Sequence, residues 1–293
     1  MLLEIGFIGA GKVGKALGLY FIGHGLSLSG YYSRTESSAD EAAKLTSSHA
    51  FKTLRTLVDS SDVIFITVPD QSIAEIDREA AAVLNEYAVM PEICWFHVSG
   101  AHSSDILAGI RKTGCEAGSM HPLQSFGDPA ASAESLARTL FTLEGTEKAV
   151  SVIRSILDRT GGKYVRIEAE NKPLYHAGAS IVSNFLVTLI ESGIRLFEAS
   201  GMVRAQVFQA IEPLIDATLS NVREKGTIDA LTGPIVRGDY DTVRVHLKAL
   251  EDSLPSELEF YKAMALKTAL MLDGNRLDHE LIEEFKRILE VRV

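Results

Sequence analysis

The first strand-like run of the chain leads straight into glycines. It reads IGFIGAGKVGKALGLYF, and Gly9-Ala10-Gly11-Lys12-Val13-Gly14 form a G-x-G-x-x-G. Alone, this spacing says little. Between an apolar strand and a helix it restricts the fold sharply. Gly9 suits a tight turn, Gly11 lets the backbone approach a pyrophosphate, and Gly14 allows close helix–strand packing. The helix start then offers free N–H groups to phosphate oxygens. The competing reading is a glycine-rich turn without a ligand.

The rest of the first half repeats the strand–helix alternation. LSLSGYYS, DVIFITV, ICWFHVSG, CEAGSMHP, LFTLEG and GKYVRIE read as strands. Helical stretches such as Lys12–Gly23, Asp70–Asn85, Ser103–Lys112 and Thr146–Arg159 lie between several of them. This predicts a mainly parallel sheet covered by helices. EAENKP breaks the pattern, and Pro173 suits the first turn of a new helix. Beyond it the sequence predicts helices over Pro173–Ser200, Arg204–Lys225, Asp239–Glu251, Pro255–Leu272 and Asp278–Val291. Pro213 should kink the second of these, and 226–240 reads as one long irregular loop. The expected division is an α/β domain over 1–168 and an all-α domain over 169–293 of the 293 residues.

Charge and composition exclude several partners. The net charge is −10, from 39 acidic and 29 basic residues, and no basic run appears, which argues against nucleic acid. Cys94 and Cys115 sit in apolar strand-like runs and read as reduced, buried thiols of a cytoplasmic protein. MLLEIGFIGAGKVG lacks the basic start of a signal peptide. The charge-free run from Leu174 to Ile190 contains His, Asn, Ser and Thr. It reads as too short and too polar for a membrane span, which needs about 20 apolar residues. It reads instead as the central helix of a domain.

The second strand ends in YYSRTESS. An NAD site wants an acid there for the ribose hydroxyl, whereas Ser33-Arg34-Thr35 suits a 2′-phosphate. NADP is therefore the expected cofactor, with Glu36 close enough to keep NAD in view. The same replacement disfavours an S-adenosylmethionine methyltransferase. Ligands of open α/β sheets sit beyond the carboxyl ends of strands. Val68 and Pro69 end one strand and are candidate cofactor contacts. Asp70 and Ser103 read as helix N-caps, and His97 as packed. Ser99 and His121 are candidates for substrate binding. His97, His102 and His121 lack metal-ligand spacing, so no metal is expected.

His176, Ser180 and Asn184 recur at every fourth residue of the charge-free run. On a helix they form a row drifting about 40° per step. Such a row is a solvent face, an internal hydrogen-bonded stripe, or a functional stripe facing a cofactor cleft. In the last case His176 would supply a proton, with Asn184 and Ser180 orienting it. Arg237, in LTGPIVRGD, could hold a substrate carboxylate, or be a surface residue of a connection whose Asp239 caps the next helix.

The order GFIGAGKVG, SRT, TVPDQSI, HVSGAHSSDIL, MHPLQSF, YHAGASIVSNFLVTL and LTGPIVRGDYDTVRVHLKAL resembles an uncharacterised family of Rossmann-like oxidoreductases. That family is similar to pyrroline-5-carboxylate reductase and has a helical C-terminal domain of unknown function. The resemblance covers nearly the whole chain. It implies a Rossmann-type sheet domain, NADP binding, hydride transfer to or from a small carbonyl or imine compound, and a homodimer formed by the helical domain. An NADP sensor without turnover is the alternative. In the wider superfamily, ketopantoate reductase carries Lys, Asn and Asn where this chain has His176, Ser180 and Asn184. Only Asn184 keeps the identity, so a lysine mechanism does not carry over at His176.

Overall fold

The computed structural model describes residues 3–289. By internal contacts the chain divides into Met1–Asn184 and Phe185–Val293. In the first unit, strands and helices alternate as β1 (Glu4–Ile8), α1 (Lys12–Gly23), β2 (Ser27–Tyr32), α2 (Glu36–Thr46), β3 (His49–Phe51), α3 (Leu54–Val58), β4 (Val63–Ile66) and α4 (Asp70–Leu84). There follow β5 (Cys94–His97), α5 (Ala108–Lys112), β6 (Glu116–Pro122), α6 (Pro129–Leu136), β7 (Leu140–Gly145), α7 (Glu147–Thr160), β8 (Lys163–Arg166) and α8 (Lys172–Val182).

The eight strands form one sheet in the order β3-β2-β1-β4-β5-β6-β7-β8. Every pairing is parallel except β6 with β7. Side chains alternate across a strand, and both faces are covered, so apolar residues run continuously. Phe7, Phe65 and Phe96 pack on one face with Leu17, Phe21 and Tyr31. Ile8, Ile64, Ile66 and Trp95 pack on the other with Leu57, Leu84 and Ile110. The sequence does not single out β3, a three-residue edge strand without a fully buried side chain. Cys94 and Cys115 are free and buried.

The second unit contains α9 (Asn184–Ala199), α10 (Arg204–Ala230), α11 (Tyr240–Ser253), α12 (Leu258–Met271) and α13 (His279–Leu289). Val243, Ala265, Ala269, Ile282 and Phe285 form its main core. Inside α10 the residue with non-helical backbone is Gly226 (φ 78°, ψ 174°), after which the chain turns helical again as far as Ala230. The expected loop at 226–240 is shorter for that reason. Of the last expected helix, Glu290 and Val291 lie outside the described residues.

The charge-free run departs from expectation in two ways. It is two helices, because Ser183 (φ −116°, ψ −75°) interrupts it. It is also not a buried central helix: Leu174, Val182, Phe185 and Val187 are 60–78% exposed. None of the described residues covers these side chains. The helical stretch Ala169–Ala199, which holds an 18-residue window of mean hydropathy 1.4, is long and apolar enough to cross a membrane by length and composition. Its first turn is nonetheless tied to the sheet, because Lys172 is wholly buried and donates to groups of the first unit.

Candidate functional site

The strand order reverses between β1 and β4, the place where open α/β sheets hold ligands. At that point Gly9 takes a left-handed conformation (φ 102°) and donates its N–H to the Tyr32 carbonyl at 2.8 Å. The Thr67 hydroxyl donates to the Gly9 carbonyl at 2.7 Å. A Cβ on Gly14 would lie 2.5 Å from the Gly9 oxygen, so the helix can pack here only as glycine. A Cβ on Gly11 would meet nothing within 4 Å, which leaves its backbone open to an incoming group. Helix α1 starts at Lys12 without a side-chain cap or an acid in its first turn. Its first N–H groups therefore remain available to an anion. Ala10 is buried and Val13 packs on the core beneath the loop.

Ser33, Arg34 and Thr35 follow the end of β2, the strand beside β1. Arg34 is exposed, and among the described residues it forms no ion pair. Val68 and Pro69 follow β4 on the other side of β1. These residues fit a dinucleotide with a 2′-phosphate: a glycine turn, an uncapped helix start and an unspent guanidinium lie at neighbouring strand ends.

A second cluster lies at the ends of β5 and β6, where α8 begins. Asp70 is not a cap: the N-cap of α4 is Pro69, and the Asp70 carboxylate accepts from the Ser99 hydroxyl at 2.8 Å. That hydroxyl also accepts from the N–H groups of Ala101 and His102 at 3.2 and 3.3 Å. The Ser99 side chain is thus engaged in its own turn. Ser103 precedes a short 3-10 turn and makes no capping bond either. His97 is fully buried, accepts from the Ser99 N–H at Nδ1 and so donates from Nε2 to the Ser103 carbonyl. Burial, and then the Lys172 charge, lower its pKa to about 3.

His121 is bonded at Nδ1 to the Tyr175 hydroxyl at 2.7 Å. Its pKa falls to about 4, first through burial and then through Lys172 and His176. His176 stands nearly perpendicular to it, with ring centroids 6.3 Å apart. Its Nδ1 is buried and has no hydrogen-bond partner among the described residues. Both rings close on Gly100: a Cβ there would lie 2.7 Å from His176 Nδ1 and 2.9 Å from His121 Nε2. A cavity of about 380 Å³ opens beside them, lined by His121, Phe126, His176, Ser180, Ser183 and Asn184.

The predicted stripe and His121 therefore share one cavity. Arg237 lies in the second unit, exposed, just before Asp239, whose carboxylate caps α11 by accepting from the Thr242 N–H at 3.1 Å. Among the described residues no group of three or more His, Cys, Asp or Glu is placed to hold a metal. Sequence reasoning missed Lys172, Tyr175, Gly100 and Glu144. Only Lys172 carried a signal, since it extends the 176–180–184 row backwards by one turn.

The two depressed histidines fix the sign of a pH effect. Each is neutral in the native state and ordinary, near 6.5, in the unfolded chain. Between pH 6.5 and about 4 the unfolded state binds more protons, so stability falls as pH drops through that window. His121 alone should account for about 3 kcal/mol. Urea unfolding at several pH values should show this slope, and His121→Gln should flatten it. An equal slope in the variant would remove His121 as its source.

Residues 1–122 match a Rossmann-like domain, and residues 139–268 match a domain of unknown function (DUF2520). No curated protein matches the sequence. Among solved structures, a candidate NADP oxidoreductase of Bacteroides fragilis is similar at 20% identity, over 92% of this chain and 98% of that one, with a TM-score of 0.73. An imine reductase of Myxococcus stipitatus, in complex with NADP+, is 17% identical over 96% and 99% of the two chains, TM-score 0.64. The pyrroline carboxylate reductase of Plasmodium falciparum, with NADP bound, is 14% identical over 98% of each chain, TM-score 0.59. At these identities the likeness is one of fold. The chain thus pairs a Rossmann-like domain with the domain of unknown function DUF2520.

Proposed function

We propose that the protein is an NADP-dependent oxidoreductase that moves a hydride between the nicotinamide and a small carbonyl or imine compound. The observation that carries this reading is one of placement. An open phosphate loop, a free Arg34 and an imidazole-lined cavity all lie beyond the carboxyl ends of one sheet. The NADP-bound reductases of similar fold support it. Bound NADPH would supply the hydride. Gly9 to Gly14 would receive the pyrophosphate, with Val68 and Pro69 beside it, and Arg34 with Ser33 and Thr35 would take the 2′-phosphate. His176, whose imidazole lines the cavity, would exchange a proton with the substrate heteroatom. Ser180 and Asn184, on the same cavity wall, would orient imidazole and substrate, and His121 would bound the opposite side. Substrate-dependent oxidation of NADPH separates this reading from binding without turnover.

NADPH should bind more tightly than NADH by on the order of 10–100-fold, the worth of a charge-assisted contact. Dissociation constants for both nucleotides, with wild type and Arg34→Ala, measure this. Equal wild-type affinities would refute the assignment of Arg34.

With a substrate in hand, His176→Gln should lower kcat by roughly 10²–10⁴-fold, the span of a lost general acid. NADPH affinity should stay within about twofold, since this side chain does not hold the nucleotide. Wild-type turnover in a folded variant would move the proton donor elsewhere.

The exposed apolar side chains of α8 and α9 support a homodimer formed largely by the helical domain. Sedimentation at micromolar concentration should give a dimer, and Val187→Glu should weaken it. A wild-type monomer under those conditions would count against the assembly.

A further inference from the structure

The network beneath the two imidazoles is built around a lysine that the proposed chemistry does not use. We propose that Lys172 is a positioning residue: its buried ammonium locks the first turn of α8 to the ends of β5 and β6, so that His176 and His121 converge over Gly100. Its catalytic consequence rests on the function proposed above; its structural content does not.

The geometry is a three-way clamp. Lys172 Nζ donates to the Ser99 carbonyl on the β5 end at 3.0 Å and to the Ser119 hydroxyl on β6 at 2.6 Å. The side chain is wholly removed from water. His176 follows Lys172 by one helical turn, on the same face of α8. Gly100 follows Ser99. Two successive residues of the β5 end thus meet two successive turns of α8, the lysine on the first and the histidine on the second. Ser119 and His121 are two apart on β6 and share one of its faces. The same ammonium therefore sets both imidazoles against Gly100, where neither has room to shift toward the backbone.

The charge is compensated from the far side. Ser119 accepts from Lys172 and so donates to the Glu144 carboxylate at 3.4 Å. Ser104 holds that carboxylate by its N–H at 2.6 Å and its hydroxyl at 2.7 Å. The groups facing His121 are Lys172, Tyr175 and His176 from α8 and Asp70 from α4. Of these Lys172 is the cation at neutral pH. With it in place, a proton on His121 is disfavoured, and the His121–Tyr175 pair stays neutral.

Imidazole NMR on the full-length protein tests this, with signals assigned through His121→Gln and His176→Gln. In wild type both signals should shift together at high pH, with a shared midpoint at the value to which burial lowers Lys172, about 8. Lys172→Met should abolish that shift and raise the His121 midpoint above its value of about 4. Lys172→Arg keeps the charge on a longer, planar group: His121 should stay unprotonated while the His176 signal moves. Imidazole signals that stay still while wild-type Lys172 titrates would overturn the proposal, whether or not the methionine variant folds. On turnover, Lys172→Met should lower kcat on the order of 10–100-fold, as a misplaced group does. KM for NADPH should hold within about twofold, and Lys172→Arg should recover part of the loss. An unchanged kcat in folded Lys172→Met would also overturn it. Failure to find any substrate would defeat the proposed function and leave the NMR result to decide this one.

Discussion

An ammonium without access to water sets the terms for everything around it. Removing such a charge from water costs several kcal/mol unless hydrogen bonds and an opposite charge are fixed in place. Lys172 finds both because three neighbouring strands bring polar groups to one place. β5 brings the Ser99 carbonyl, β6 the Ser119 hydroxyl, and β7 the Glu144 carboxylate. The β6–β7 pairing places Ser119 directly opposite Glu144. That is the single antiparallel pairing in the sheet, and it lets a residue late in β7 lie beside the middle of β6. The polar site is thus an outcome of strand register as much as of loop composition.

What could be read from the sequence was what local chemistry determines. The glycine loop was legible because a positive φ at Gly9 and the contact of Gly14 with the Gly9 carbonyl demand glycine whatever surrounds them. The seven long strands were legible because a sheet covered on both faces needs unbroken apolar runs. The readings that fell short depended on distant partners. Asp70 has the local propensity of a cap, but its carboxylate is taken by Ser99, on the neighbouring strand end. Tyr175 and Gly100 carry no pattern at all, since their roles arise only when α8 meets β5 and β6. Lys172 lies one turn ahead of the row at His176, and its burial depends on Ser99 and Ser119, both distant in sequence.

The apolar run from Leu174 shows the same division. Its hydrophobicity was plain, its partner was not. Fully burying a large apolar side chain is worth about 1.5–3 kcal/mol, so several left in water on adjoining helices forgo a large stabilisation. A stretch of this kind also carries Ser183, where the helix breaks and the hydroxyl bonds to Ser125 at 2.9 Å. The break lets the residues before it obey the sheet while those after it belong to a different core, around Ile194, Val207 and Ile211. One charge-free segment therefore serves two units, and a periodicity read across it as one helix averages over both.

The electrostatics of the nucleotide site must likewise be local. A chain of net charge −10 repels a phosphate at long range. At physiological salt that repulsion fades over about 8 Å, so recognition turns on charges near the loop. There the distribution is uneven. Lys15, one turn inside α1, is paired with Glu41 at 2.7 Å. Among the described residues, Lys12 and Arg34 form no ion pair, and the start of α1 carries no acid. Some acids elsewhere are paired within their own helices, as Glu283 with Lys286 and Asp252 with Lys248. Two positive groups without an ion-pair partner thus lie at the glycine loop and at the strand end beside it. An anion arriving there would meet donors that have lost no internal contact to receive it, as a polyanionic cofactor on an acidic protein requires.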